Sequence, residues 1–428
     1  MRKVKSLFGL FLCLVLLLSG RPSFASEDEK NTDSAENLTD QCSYSSDLAA
    51  GFYQKRLADS NYQSAQTFKK GVKFSIQWTD EIPVNTVVLM FFRYPGACRF
   101  LQYDAGGNLL SETQGEGFIN EFITVETNTR KVTVVPDEEI TVCSLHAFGE
   151  GTVPNRHDWM PTPEKVDYMV VAMHPDDDIL FLGAIVPIYT GEQKREGTIY
   201  YCAAENRVRK NEALNGAWTM GLRTMPILGE FSDIPQNKAD PKSPYFKRSK
   251  IILELVRLFR EHRPEVVFSH DLNGEYGHWQ HAQLSRCVRE AVPLAADEQY
   301  DPESVRTYGT WEVKKLYLHL YSENKISIPS STPLSAFGGK TAKEVAEEAF
   351  LCHESQMTSR HRVTDEGVYS LSDFGLVYTT VGLDTEGLND PFEHIHPEEE
   401  KTVTEPEEQS LLDRFLEIIS RWFRTLQQ

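Results

Sequence analysis

The sequence predicts a two-part fold, a smaller all-β sandwich or jelly roll followed by a doubly wound α/β unit with a mostly parallel sheet. Three observations predict it. Between Cys42 and Gly151, short runs of β-branched and aromatic residues recur with turn formers between them. From Lys165 onward, apolar runs suited to buried parallel strands alternate with stretches of helical length. Two histidine-bearing motifs, His174-Pro175-Asp176-Asp177 and Gly277-His278-Trp279-Gln280-His281, each follow an apolar run, where the carboxyl ends of such strands gather ligands.

The chain of 428 residues is long for one domain. It opens with Arg2, Lys3 and Lys5, an apolar stretch from Leu7 to Leu18, and small residues at Ser23 and Ala25. These are the three parts of a secretory signal. Residues 1–25 are therefore expected to be cleaved near Ala25, leaving a secreted or cell-surface protein. The apolar stretch is short for a membrane span. Residues 26–41 are acidic and nearly free of large apolar side chains, which predicts a disordered leader.

Residues 42–155 form the predicted β-sandwich accessory domain. Its strands are Val72–Trp78, Thr86–Phe92, Arg99–Tyr103, Phe118–Val125, Lys131–Val135 and Thr141–Ala147. Tyr94-Pro95-Gly96 and Asp104-Ala105-Gly106-Gly107-Asn108 are turn chemistry between them. No catalytic constellation clusters here. The cysteines beyond the signal are scattered with no C-x-x-C pair. Cys98–Cys143 is a candidate disulfide in an exported protein, and buried free thiols are the equal alternative.

Residues 160–385 read as the α/β domain. Val166–Met173 is an unbroken apolar run, followed by a predicted helix from Asp178 to Tyr189. Thr198–Ala203 is a second strand and Arg207–Gly221 a helix closed by glycine. Ser249–His262 is amphipathic and stops at Pro264, Glu265–Ser269 is a strand, and a helix runs from His278 to Ala291. Lys315–Leu320 and Lys340–Gln356 are a late strand and helix. Residues 386–409 form an acidic linker, and residues 410–428 place Leu411, Leu412, Phe415, Leu416, Ile419, Trp422, Phe423 and Leu426 on one helical face. That helix suits a membrane surface, a protein partner or the protein's own surface.

The formal net charge is −19, and loss of the four basic residues of the leader leaves −23. So acidic a chain excludes nucleic acid and anionic membrane as general partners, and favours a substrate reached through a local site.

The two motifs could supply that site. A hydrolytic metal centre needs about three imidazole or carboxylate ligands, a water and a base. His174 and Asp177 can bind a metal from one loop, with His281 completing the set. Asp176, adjacent but pointing elsewhere, is the natural general base. His278 is left as a group able to be cationic and stabilise an oxyanion, and Tyr276 adds a hydroxyl to the same task. Zinc is favoured by ligand type, while Fe2+ or Co2+ fits the same donors.

Taken in order, the strand before His174-Pro175-Asp176-Asp177, then Arg209-x-x-Glu212, then Asp271-x-Asn273-Gly274-x-Tyr276-Gly277-His278-x-x-His281, resembles the PIG-L/LmbE-like family of zinc-dependent N-deacetylases. His353-x-x-Gln356 is similar to a late segment of that family. The resemblance covers Lys165 to Asp384. It implies a Rossmann-like fold and hydrolysis of an N-acetyl group, typically on glucosamine. It assigns the metal to His174, Asp177 and His281, the base to Asp176, amide polarisation to His278 and Tyr276, and substrate binding to Arg209 and Asn273, with Arg207 a close rival of Arg209. The sequence departs from the family pattern in three places. Asp178 stands where Glu is usual, Gln280 replaces the Asp common between the histidines, and Cys202-Ala203-Ala204-Glu205-Asn206 replaces a Thr/Gly segment. The second bears on the acid character of His278, the third on substrate identity. The expected function is an exported N-deacetylase of an amino sugar or glycan. An amidase for another acyl amide, and a glycan-binding surface protein with a vestigial site, are the alternatives.

Overall fold

The computed structural model describes residues 34–395 apart from 49, 60, 236–244 and 359–360. The signal segment, the first half of the acidic leader, most of the linker and the helix expected at 410–428 lie outside the described residues. The chain divides into two compact units, the first ending at Arg156 and the second starting at His157.

The first unit is built from nine strands: β1 (Ser43–Ser46), β2 (Gln66–Phe68), β3 (Phe74–Gln77), β4 (Thr86–Phe91), β5 (Cys98–Tyr103), β6 (Leu109–Gln114), β7 (Asn120–Thr124), β8 (Lys131–Pro136) and β9 (Ile140–Phe148). They form two antiparallel sheets, ordered β1-β3-β8-β5-β6 and β2-β9-β4-β7. Stacked Phe68 and Phe74 rings, with centroids 4.0 Å apart, join strands of the two sheets. Cys98 and Cys143 are both free thiols, and Cys143 donates to the Met90 carbonyl at 3.3 Å instead of pairing. Residues 34–41 correct the expectation of a disordered leader. The Ala35 N–H donates to the Thr152 carbonyl, the Leu38 N–H donates to the Ala147 carbonyl, and the Leu38 side chain is buried. Two small apolar side chains and an open strand edge suffice to hold an otherwise acidic segment.

The second unit carries a seven-stranded sheet. Its strands are β10 (Tyr168–Ala172), β11 (Gly197–Tyr201), β12 (Ile227–Leu228), β13 (Val266–Ser269), β14 (Lys315–His319), β15 (Lys325–Ser327) and β16 (Asp373–Thr379), in the order β12-β11-β10-β13-β14-β16-β15. The first five in that order are parallel, and β16 runs antiparallel between β14 and β15. The order reverses at β10, whose neighbours β11 and β13 leave in opposite directions, so a crevice opens at its carboxyl end. β10 is buried along its whole length, as its unbroken apolar sequence requires.

The helix expected from Asp178 to Tyr189 is shorter than its pattern suggested. Only Asp177–Leu180 is α-helical, and Pro187–Glu192 is a π turn with Pro187 at its start. The helices that matter for the site are α1 (Arg207–Thr219) and α2 (Trp279–Ala295). Among the described residues no helix is long and apolar enough to cross a membrane.

Replacing Leu38 by Ala should destabilise the protein by about 2–5 kcal/mol, as for other buried leucines. Chemical denaturation measures this, and a change below about 0.5 kcal/mol, the range of surface substitutions, would mean that the segment does not pack.

Candidate metal centre

His174 lies two residues beyond the end of β10, at the point where the strand order reverses. The chain then turns sharply. Asp176 takes φ 139°, a conformation rare for a side-chain-bearing residue and costing about 1–3 kcal/mol. The turn sends two adjacent carboxylates to different partners. Asp177 Oδ2 accepts from the His174 backbone N–H at 2.8 Å and faces His174 Nδ1 at 3.1 Å. Asp176 Oδ1 accepts from Arg209 Nη2 at 2.9 Å.

The second motif arrives from the β13 end. Gly274 at φ 72° makes its entry turn, and a Cβ there would lie 2.0 Å from the His278 carbonyl oxygen, so only glycine fits. His281, on the first turn of α2, is fully buried. Its Nε2 lies 3.3 Å from Asp177 Oδ2 and 3.2 Å from His174 Nδ1. Three donor atoms thus stand mutually 3.1, 3.2 and 3.3 Å apart. Ligands about 2.0–2.2 Å from a tetrahedral metal are separated by about 3.3 Å, so the triangle has the size that a bound zinc requires.

The hydrogen bonds around the triangle decide which lone pairs face inward. His281 Nδ1 donates to Glu275 Oε2 at 2.7 Å, which leaves Nε2 bare. His174 Nε2 faces two acceptors, Gln280 Oε1 and Asp233 Oδ1, each at 3.4 Å, and a proton held there leaves Nδ1 to face the triangle. Two bare nitrogens and a carboxylate oxygen facing one another in a buried pocket fit a cation. Burial works against the His174 cation, yet Asp177 and Asp233 push the group up to about 10, so an ion bound here has to displace a proton.

A second triad, Asp177, His270 and His281, is close enough to compete for the ion. Burial lowers the His270 imidazole, while Glu275 and Asp177 outweigh it and bring the group up to about 9. The hydrogen bonds favour the neutral form, because the Met173 N–H donates to Nε2 at 2.9 Å and only a bare ring nitrogen accepts it. His270 is therefore a structural acceptor, with its Nδ1 donating to Glu275 Oε2 at 2.9 Å.

The remaining residues expected at the site divide into two groups. Arg209 belongs to it: Asn206 caps α1 by accepting from the Val208 and Arg209 N–H groups, and Arg209 reaches the Pro175 carbonyl at 2.7 Å as well as Asp176 and Asp233. Arg207 is fully buried and donates to Asn211 at 2.6 Å. The His278 ring centroid lies 4.2 Å from that of His281, with the two rings tilted at 34°. Burial, then His281 and His174, push it down to about 3, against the cationic form allowed for it from sequence. Tyr276 has its ring centroid 6.0 Å from that of His281 and stacks on Tyr369. Burial raises the Asp176 carboxyl to about 7, although Arg209 opposes it. Asn273 is not brought to the cluster; its amide is exposed and turned to Asp271 Oδ1 at 3.4 Å. His353 is fully buried, neither ring nitrogen has a partner, and burial pushes it down to about 3.

Two departures from the family pattern acquire roles. Gln280 accepts from the Ile234 N–H at 2.9 Å and donates to the Ser232 carbonyl at 3.1 Å, pinning the segment that carries Asp233 beside His174. Asp178 is buried and accepts from the Tyr201 hydroxyl at 2.8 Å. Glu212 does not pair with Arg209 on the surface. It is buried and accepts from the Ser355 N–H at 2.7 Å and hydroxyl at 2.6 Å, tying the late His353-x-x-Gln356 segment to α1.

Sequence reasoning missed Glu275, His270 and His319. Glu275 is fully buried and accepts from His270 Nδ1, from His281 Nδ1, from His319 Nδ1 at 2.8 Å and from the Asp271 N–H at 3.1 Å. Burial would raise its carboxyl, but the histidines hold it well below the usual range. One signal was present: His174, His270 and His319 each stand at or just beyond the carboxyl end of a central strand.

Fold and site define an α/β protein with a candidate divalent-metal centre at the strand ends. Residues 169–292 carry a PIG-L domain, matching the family model described as "PIG-L: GlcNAc-PI de-N-acetylase". A 1D-myo-inositol 2-acetamido-2-deoxy-alpha-D-glucopyranoside deacetylase 1 of Catenulispora acidiphila is 29% identical over 178 residues, covering 35% of this chain and 54% of that protein. A deacetylase 2 of the same description from Frankia casuarinae is 41% identical over 178 residues, covering 35% and 56%. The chain thus spans about half the length of these two curated relatives. The solved structure of N,N'-diacetylchitobiose deacetylase from Pyrococcus horikoshii aligns over 46% of this chain and 72% of that one, at 15% identity and a TM-score of 0.36.

Replacing Glu212 by Ala removes both bonds to Ser355 and should cost about 2–4 kcal/mol, with faster hydrogen exchange at the Ser355 amide. Unchanged exchange there would show that Glu212 does not hold the segment.

Proposed function

We propose that this protein is an exported, metal-dependent N-deacetylase that hydrolyses the acetamide of an amino sugar or glycan. The observation that carries the reading is the triangle of bare donor atoms from His174, Asp177 and His281, with sides of 3.1 to 3.3 Å. The names of the curated relatives, which act on a 2-acetamido-2-deoxy-glucopyranoside, support the substrate class. The strand order around β10 supports a Rossmann-like doubly wound unit. The basic and apolar leader supports export.

His174, Asp177 and His281 would hold a divalent ion, zinc by ligand type. When bound, it supplies Lewis acidity, acidifying water and drawing charge from the amide oxygen. Asp176 takes the proton of the attacking water. Its carboxylate is kept out of the ligand set by the turn at φ 139° and steered by Arg209. Tyr276 and neutral His278 donate to the amide oxygen as negative charge develops there. Asp176 then returns its proton to the departing nitrogen, so that water and amide become carboxylic acid and amine. His278, neutral in this pocket, leaves Asp176 as the proton carrier.

Replacing Asp176 by Asn should keep metal stoichiometry unchanged and lower kcat by about 10²–10⁴-fold, while replacing His281 by Ala should strip the metal. Metal analysis with amine release from N-acetylated sugars checks both. Loss of metal from the Asp176 variant would overturn the division of roles. Amine release from unrelated amides, or from none of the sugars, would overturn the substrate class.

A further inference from the structure

The proposed reaction uses His281 as a ligand but leaves unexplained why a fully buried carboxylate sits behind it. Glu275 is one residue before Tyr276 in the second motif, and it has no contact with the reacting face. Both of its oxygens are engaged from the opposite side. Oε2 accepts from His281 Nδ1 at 2.7 Å and from His270 Nδ1 at 2.9 Å. Oε1 accepts from His319 Nδ1 at 2.8 Å and from the Asp271 N–H at 3.1 Å.

Each outer histidine is itself anchored by the sheet. His270 Nε2 accepts from the Met173 N–H at 2.9 Å, next to His174. His319 ends β14, and its Nε2 faces the Ser370 carbonyl at 2.8 Å. The carboxylate is thus fixed by groups at the ends of three neighbouring strands, β10, β13 and β14, and it passes that fixed position to His281. An imidazole has two nitrogens of nearly equal basicity, and only a partner on one of them selects which carries the proton. With Glu275 on Nδ1, the proton stays there and Nε2 keeps its lone pair aimed at Asp177 Oδ2 and His174 Nδ1. Without it, His281 is free to take the other tautomer and to turn its ring.

We propose that Glu275 is a positioning residue that sets the tautomer and ring orientation of His281, with His270 and His319 as its anchors. The inference rests on the reading of His281 as a metal ligand.

Full-length protein labelled with 15N in histidine, kept metal-free, reports the His281 tautomer directly. The expected result is an Nδ1–H, Nε2-bare ring in the unaltered protein. An Nε2–H tautomer there overturns the proposal without any variant. Glu275→Gln should then lose that preference and weaken Zn2+ binding about 10- to 100-fold, measured by competition with a chromophoric chelator. His319→Gln, which removes one anchor of Glu275 but leaves the Glu275–His281 bond, should keep the Nδ1–H tautomer and weaken Zn2+ binding less than Glu275→Gln does. Equal affinities for Zn2+ in the unaltered and Glu275→Gln proteins overturn the role of Glu275 alone. If the unaltered protein binds neither Zn2+ nor Co2+, the metal-dependent reading fails, and the task assigned to Glu275 fails with it.

Discussion

Two imidazole nitrogens and a carboxylate oxygen converge within 3.3 Å inside the protein, and most of the second unit is arranged to make that convergence tolerable. Left to themselves, such groups repel or bind a proton, and a buried pocket intensifies both effects. The tolerance is built from outside the triangle. Glu275 holds one imidazole by its far nitrogen, and Gln280 with Asp233 faces the far nitrogen of the other. The seven-stranded sheet brings these partners together, because β10, β13 and β14 lie side by side.

The same turn that presents Asp177 to the triangle withdraws Asp176 from it. The φ of 139° at Asp176 is the conformational cost of that turn. Arg209, placed by the Asn206 cap of α1, holds both the Asp176 carboxylate and the Pro175 carbonyl of that turn. A helix cap thereby connects to the separation of a metal ligand from a proton carrier. Strain concentrated at one residue, and stabilised by a charged hydrogen bond, is the pattern of a functional turn.

Much of this was legible in the sequence where the signal is local. The apolar run before His174, the spacing of the two histidines in the second motif, and the helix at Arg207 closed by Gly221 are all visible in the sequence. What sequence did not disclose depends on contacts between distant segments. Glu275 looks like any loop acid until His270 and His319 close around it. Glu212 reads as the partner of Arg209 three residues away, yet it binds Ser355. Asn273 sits inside the motif and still points away, because a loop's register says little about side-chain direction. β16 escaped notice since Gly375 interrupts its alternation, and Leu38 packs in spite of its acidic surroundings.

X-ray absorption at the zinc edge, recorded on zinc-loaded full-length protein, reads out whether His174, Asp177 and His281 hold the metal. That ligand set gives two imidazoles and oxygen ligands at about 2.0–2.2 Å, with no sulfur. Three imidazoles, which would put His278 in place of Asp177, a sulfur ligand, or failure to retain zinc would contradict it.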